Sequence, residues 1–502
     1  MVGAGAYIAA MPPFGLWFLL PLAFTAQWAL TRRAGTPWVA AGWVWLQFFA
    51  VFAGGLHWIT AALLVNFARD WIYLPFAVIG LPAMLALFPA LGAWVVAYAA
   101  PQGLGDRPWR RLVVFATTWV ATEWMRSSLF SGLPWLLTAH GLLAQAGLAQ
   151  LAWSAGPWGM ALLVALVGGA LGLGLDTHRR TYLPLIVMAM VLAFAWVVGE
   201  LRLRSAASVN ADEALMVRVL HTNVPQEERW ATADQVRHFR HLADATVSAG
   251  EGPVDLVIWP EMSVPTFLDR DPDARSAIAA LLPAGALLLA GGPRTEQAQT
   301  GRLFHNTAFL LGGDGTIRGQ YDKVHLVPFG EYVPFGRLLP LHIIGDVHLG
   351  YTAGDDHTVF PVNPNLWVRP LICYEIGFTY LYSPTEDEPA PTLLVNISND
   401  AWFGGSIGPA QHFALGRFRA IESGLPVARA VNGGISAVVD PYGRVLAKAE
   451  GDPVQGFDVA VPPPVSNQHN WIVWRHFLEG VLIILTFTVM VGSISSRWMW
   501  CR

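Results

Sequence analysis

The first two hundred residues are a run of apolar stretches with barely a polar break between them, and no other feature restricts the chain so strongly. A bilayer core about 30 Å thick takes roughly 20 apolar residues per helix. Six such stretches lie near residues 14–31, 38–65, 72–100, 112–128, 150–175 and 181–199, and a seventh lies near 472–496. Only 13% of the 502 residues are charged and 54% are hydrophobic, whereas a soluble protein carries about 25% charged residues. The pattern predicts a polytopic α-helical membrane domain over residues 1–205 and a C-terminal transmembrane helix over 472–496. The apolar stretch from Met1 to Met11 is too short to cross unaided before Pro12 and Pro13, so the first domain has six spans, or seven with that stretch included. None of the first thirty residues is Lys or Arg, which removes the basic start of a cleaved signal peptide.

Basic residues in short loops are retained on the cytoplasmic side. One set of alternating loops holds Arg32 and Arg33, then Arg107, Arg110 and Arg111, then Arg179 and Arg180, with Arg497 and Arg502 in the tail. The other set shows only Arg69 and Arg126 before Arg202 and Arg204, where a long hydrophilic block begins. The block is therefore expected outside the cytoplasm. Trp38, Trp71 and Trp109 sit at span ends as interfacial anchors. Glu123 and Arg126, three apart in the fourth span, are expected to pair near its outer end. A net charge of -4 leaves no basic excess for a polyanion, so no nucleic acid partner is expected. The two cysteines, Cys373 and Cys501, suit neither a disulfide framework nor a zinc cluster, and no phosphate loop or metal-spaced histidines occur. No cofactor or metal is expected.

From about 208 to 465 the apolar runs shorten to lengths typical of strands. Strands are predicted at Met216–Leu220, Leu256–Trp259, Ala286–Ala290, Thr307–Leu311, Leu366–Ile372, Thr392–Ile397, Ser436–Val439 and Arg444–Ala447. Helical periodicity marks Thr232–Ala249, Asp273–Leu281 and His412–Ser423. Gly312, Gly313, Asp314 and Gly315 mark a tight hairpin. The block is predicted to be a mixed α/β domain with helices covering sheets.

Three points in this block carry chemistry. Glu261 follows the strand Leu256–Trp259, at the kind of strand end where α/β sheets bind ligands. Lys323 sits among aromatic and apolar residues ahead of a proline-punctuated loop, suited to hold positive charge against an oxyanion. Cys373 ends the strand Leu366–Ile372, and a thiol there becomes a nucleophile when a carboxylate removes its proton. Glu375, two residues on, would share its face in an extended segment.

The stretches WPEMSVP, YDKVHLVPFGEYVPF, ICYEIGF, NISNDAWFG and ARAVNGGISAVVDPYGR make the block resemble the nitrilase superfamily of carbon-nitrogen hydrolases. With PPFGLW, TEWMRSSLFSGLPW, TNVPQEERW and the flanking spans, nearly the whole chain resembles the apolipoprotein N-acyltransferase family. The resemblance implies that 208–465 is an extracytoplasmic, nitrilase-like αββα sandwich. It implies Glu261 as general base, Lys323 as oxyanion stabiliser and Cys373 as nucleophile, with Trp230, Glu331, Tyr374 and Glu375 binding substrate or supporting the triad. It further implies a phospholipid acyl donor, a diacylated lipoprotein acceptor, ping-pong kinetics through a cysteine thioester, and a monomer in the bacterial inner membrane with its catalytic domain periplasmic. The apolar segment Val333–Leu349, including Phe335, Leu338 and Leu339, reads as an access arm leaning into lipid. Two other functions fit the residues. One is a membrane-tethered amidase or nitrilase-type hydrolase in which water resolves the acyl-enzyme. The other is a transporter with an external receptor domain, for which Glu123 and His57 offer few ionisable groups within the spans.

Overall fold

The computed structural model describes all residues except 100–107, 176–181, 207–214, 229–231, 251, 299–300, 335–349, 356–357, 384–387, 466–467 and 501–502. The chain forms two compact units. One comprises Met1–Thr60, Ile72–Ala206 and Val473–Arg502, and the other comprises Ala61–Trp71 and Ala207–Ile472.

Among the described residues, five helices are long and apolar enough to cross a membrane: Pro37–Gly55, Phe67–Ala99, Leu151–Gly174, Leu183–Arg204 and Trp471–Ser495. Two further apolar stretches form the helices Leu20–Arg33, of 14 residues, and Pro108–Ser128, of 21 residues. The first is shorter than a bilayer crossing requires, and the second carries Glu123 and Arg126. The expected stretch 38–65 is broken, because its helix stops at Gly55 and Ile59–Leu64 is a separate helix of 6 residues. Apolarity alone does not reveal such a break. The Glu123 and Arg126 side chains lie 3.9 Å apart, yet their shorter contacts go to one loop. Glu123 accepts from the Thr138 N–H at 2.8 Å and the Thr138 hydroxyl at 2.9 Å, while Arg126 Nη1 donates to the carbonyls of Leu133 (2.6 Å) and Trp135 (2.9 Å). Irregular backbone away from water needs polar partners, and these two side chains provide them.

The second unit is built on two six-stranded sheets. Its strands are β1 (Leu215–His221), β2 (Leu256–Ile258), β3 (Leu287–Ala298), β4 (Gly301–Leu311), β5 (Ile317–Asp322) and β6 (Phe360–Asn363), then β7 (Leu366–Ile372), β8 (Leu393–Asn399), β9 (Val427–Asn432), β10 (Ile435–Val439), β11 (Val445–Glu450) and β12 (Gln455–Val461). The sheet orders are β12-β1-β2-β3-β4-β5 and β11-β10-β9-β8-β7-β6. The centres, β1-β2-β3 and β7-β8-β9, are parallel, with Val217 beside Leu256 and Val368 beside Leu393. Parallel strands are covered on both faces, which accounts for their unbroken apolar runs.

Val217, Ile258 and Leu289 from one sheet meet Val368, Val395 and Ala430 from the other in a single buried layer. Leu242 and Ala245 of the helix Thr232–Ser248, and Ile278 of Pro272–Ala279, pack on Trp259, Leu288 and Phe309 behind the first sheet. Ala420 of the helix Gly408–Ser423 packs on Leu394 and Val427 behind the second. The result is the αββα sandwich that the resemblance implied, and β4 and β5 form the expected hairpin.

Four strands, β5, β6, β9 and β12, have no counterpart among those read from the sequence. β5, β6 and β12 are sheet edges where polar residues interrupt the apolar pattern, and β9 carries the fully buried Arg429.

The sandwich places one close approach next to Glu261. A Cβ on Gly291 of β3 would lie 2.6 Å from Met262 N and 2.7 Å from Glu261 Cα, both backbone atoms unable to yield. Gly291→Ala is expected to destabilise the full chain by about 2 kcal/mol, read as a lower unfolding temperature in detergent, and to displace the Glu261 loop.

Candidate active site

β2 ends at Ile258, and Pro260 has no N–H with which to continue the ladder, so the chain leaves the sheet there. Glu261, only 6% exposed, follows directly. Its Oε1 accepts from Asn306 Nδ2 at 2.7 Å and its Oε2 from the Asn399 N–H at 2.8 Å. One donor comes from β4 and the other from the end of β8, so both sheets hold this carboxylate.

Lys323 follows β5 and is 1% exposed. Its Nζ lies 2.9 and 2.8 Å from the two oxygens of Glu331, and 3.9 Å from Glu261 Oε1. Glu331 also accepts from the Val327 N–H at 2.8 Å and from Asn306 Nδ2 at 3.3 Å. Burial works against the ammonium, but Glu331, Glu261 and the Cys373 sulfur together outweigh it and raise the Lys323 pKa. Lys323 is a fixed cation.

Cys373 begins a tight helical turn, Cys373–Gly377, with φ +54°, a left-handed conformation uncommon for any residue except glycine. Burial first, and then the Glu261 charge, push the thiol pKa well up, while Lys323 draws it back. In the resting site the sulfur is therefore a neutral thiol, which becomes nucleophilic only when a base takes its proton.

The Glu375 side chain is not where an extended segment would put it. The backbone turns at Cys373, so Glu375 points away to accept from Tyr321 OH (2.9 Å) and the N–H groups of Val324 (2.8 Å), His325 (2.9 Å) and Ile372 (2.7 Å). Burial pushes this acid up to about 7 against the pull of those donors. Its contacts tie the Cys373 turn to the backbone following Lys323. The Tyr374 ring belongs to an aromatic group with His325 (5.7 Å between centroids) and Phe378 (5.0 Å). Trp230, Cys501 and the segment from 335 to 349 that was read as an access arm lie outside the described residues.

The fold thus gathers Glu261, Glu331 and Cys373 around the Lys323 ammonium and adds Asn306, which the sequence reading missed. Asn306 stands in LFHNTAFLL, where no local pattern separates it from an ordinary strand residue. A buried carboxylate, a fixed ammonium and a thiol on a strained turn are the parts needed to attack a carbonyl carbon and hold the acyl group.

A two-sheet sandwich with these three groups at its strand ends defines the class. Residues 219–455 match the carbon-nitrogen hydrolase family model, and residues 3–170 match the model for the apolipoprotein N-acyltransferase N-terminal domain. The chain is 37% identical over 485 residues to an apolipoprotein N-acyltransferase of Rhodopseudomonas palustris, covering 91% of this chain and 88% of the relative. It is 35% identical over 512 residues to one of Agrobacterium fabrum, covering 98% and 95%. Among solved structures it is similar to a Nesterenkonia amidase from the nitrilase superfamily, at 20% identity and TM-score 0.36, over 54% of this chain and 98% of that one. The chain belongs to the apolipoprotein N-acyltransferase family.

Asn306 is the donor shared by the two carboxylates. Asn306→Leu is expected to slow acylation of Cys373 by about 100-fold, measured as the initial burst of nitrophenol from a fatty acyl nitrophenyl ester.

Proposed function

We propose that this chain moves a fatty acyl group from a phospholipid to the N-terminal amine of a lipoprotein's S-diacylglyceryl cysteine, with Cys373 as the intermediate carrier. The convergence of Glu261, Lys323 and Cys373 carries this reading. Glu261 takes the thiol proton while the sulfur attacks the ester carbonyl, and the oxyanion that forms is stabilised by the Lys323 ammonium. The tetrahedral adduct collapses, the carbon-oxygen bond breaks, and the lysophospholipid leaves with the proton held by Glu261. An acyl thioester remains on Cys373. The acceptor amine attacks it, Glu261 takes the amine proton, and the carbon-sulfur bond breaks to release an amide and return the thiol. Glu331 keeps the lysine charged and in place, while Tyr374, Glu375 and Trp230 shape the pocket or support the triad.

Both reactants are amphiphiles that reside in a bilayer, which suits a catalytic block with apolar stretches on either side of it in sequence. The alternation of arginines between loops supports a bacterial inner-membrane location with the block in the periplasm. A cysteine introduced at the exposed Val247 is then expected to react with a membrane-impermeant maleimide in intact cells with a permeable outer membrane. Labelling only after lysis would place the block inside.

Intact mass of the purified protein after exposure to phospholipid alone tests the carrier. The expected result is a gain of one fatty acyl chain that neutral hydroxylamine removes and that Cys373→Ala never acquires. A diacylated lipopeptide should discharge the adduct as an amide. Release of free fatty acid at the same rate without the lipopeptide would instead identify a hydrolase. Lys323→Met is expected to slow formation of the adduct by about 1,000-fold.

A further inference from the structure

Gln226 lies just beyond the end of β1 and is only 3% exposed. β1 runs parallel to β2, so the chain beyond it leaves the sheet on the same side as Glu261. That side, past the C-terminal ends of parallel strands, is where such sheets hold ligands. The transfer chemistry described above gives Gln226 no part.

An amide side chain has an oxygen and an NH2 of nearly equal shape, and its partners decide which is which. Here the backbone decides. The Val224 N–H donates to Asn432 Oδ1 at 2.8 Å, and the Val224 carbonyl accepts from Asn432 Nδ2 at 3.0 Å. A main-chain N–H only donates and a carbonyl only accepts, so the Asn432 amide has one orientation. Its Nδ2 also donates to Asn399 Oδ1 at 2.8 Å, which leaves Asn399 Nδ2 to donate to Gln226 Oε1 at 2.8 Å. The Gln226 oxygen is thereby used. The group left over is Nε2, buried and without a hydrogen-bond partner among the described residues.

This relay ends beside the catalytic base, because the Asn399 N–H is the donor to Glu261 Oε2 at 2.8 Å. Buried polar groups are nearly always paired, and leaving one open costs free energy. An open NH2 next to the base is paired by what the site binds, and it calls for an oxygen that accepts. In the transfer chemistry the donor's reacting carbonyl goes to Lys323, and a phosphate oxygen would draw a charged partner rather than a neutral amide. The acceptor amine must come within hydrogen-bond reach of Glu261 to lose its proton. In an N-terminal residue the strong acceptor nearest that amine is the carbonyl oxygen of the same residue.

We propose that the Gln226 side-chain NH2 binds the carbonyl oxygen of the acceptor's N-terminal residue, aligning its amine between Glu261 and the thioester. The proposal rests on the acyl-transfer reading and deepens it: the enzyme recognises an N-terminal peptide rather than any lipid-borne amine.

Discharge of the acyl-enzyme tests it. The full chain in detergent is loaded with phospholipid and then mixed with a diacylated lipopeptide, either unmodified or with sulfur in place of the carbonyl oxygen of its first residue. Sulfur accepts hydrogen bonds weakly and leaves the amine in place. Followed by intact mass, the wild-type adduct should be discharged about tenfold faster by the oxygen peptide. Equal rates overturn the proposal, whether or not any variant folds. In Gln226→Leu the two peptides should discharge the adduct at rates within about twofold of each other, a ratio that needs only a trace of adduct. A variant that prefers the oxygen peptide as strongly as the wild type does also overturns it. Failure to form any adduct from phospholipid would remove the acyl-transfer reading and this proposal together, whereas an adduct discharged equally by both peptides removes this proposal alone.

Discussion

The catalytic unit depends on a lysine ammonium taken almost wholly out of water. A buried cation without partners costs several kcal/mol and gives up its proton. Lys323 keeps its proton because Glu331 contacts it through both oxygens and Glu261 stands just beyond. The surplus of carboxylate has consequences of its own. Two buried acids around one lysine need other donors, and these come from the Asn306 side chain and the N–H groups of Val327 and Asn399. The ends of β2, β5 and β8 are drawn to one point by this requirement.

Cys373 is fixed by a different means. Cys373 takes a left-handed conformation that most side chains avoid, and a strained residue persists only when its surroundings over-determine it. Glu375 binds the turn from one side, through Ile372, Tyr321, Val324 and His325, while Asn396 and His412 meet its carbonyl from another. The backbone that carries the sulfur and the backbone that carries Lys323 thereby become one rigid piece. Preorganised dipoles and charges of this kind need not rearrange during reaction, and that is where most electrostatic catalysis resides.

The membrane unit solves a related problem without chemistry. Residues 129–138 are largely non-helical backbone, with Phe130, Ser131 and Leu136 at positive φ. Glu123 and Arg126 bind the N–H and carbonyl groups of this loop. Their proximity reflects this shared task rather than a strong mutual bond, and it explains why two ionisable residues are tolerated in an apolar helix.

Much of the architecture was legible along the chain. Apolar runs long enough to span a bilayer, and shorter runs bounded by turns, express burial directly, so the membrane stretches and the central parallel strands other than β9, which carries the buried Arg429, could be read from them. Glu261 and Cys373 were visible because each follows a strand read from the sequence, and strand ends are where side chains leave the sheet, whereas Lys323 stood out as a lysine among aromatic and apolar residues ahead of a proline-punctuated loop. Edge strands such as β5 were hidden, since a strand covered on one side has little apolar pattern. Asn306 was hidden because the carboxylate it binds stands 45 positions away in sequence. Glu375 was misplaced because alternation of side chains holds only while the backbone stays extended, and the backbone turns at Cys373. The chain by itself determined which groups are available and roughly where each leaves its strand. Only the packing of one sheet on the other decided which of them meet, because charge and hydrogen bonding act over a few ångströms and the fold alone brings distant residues that close.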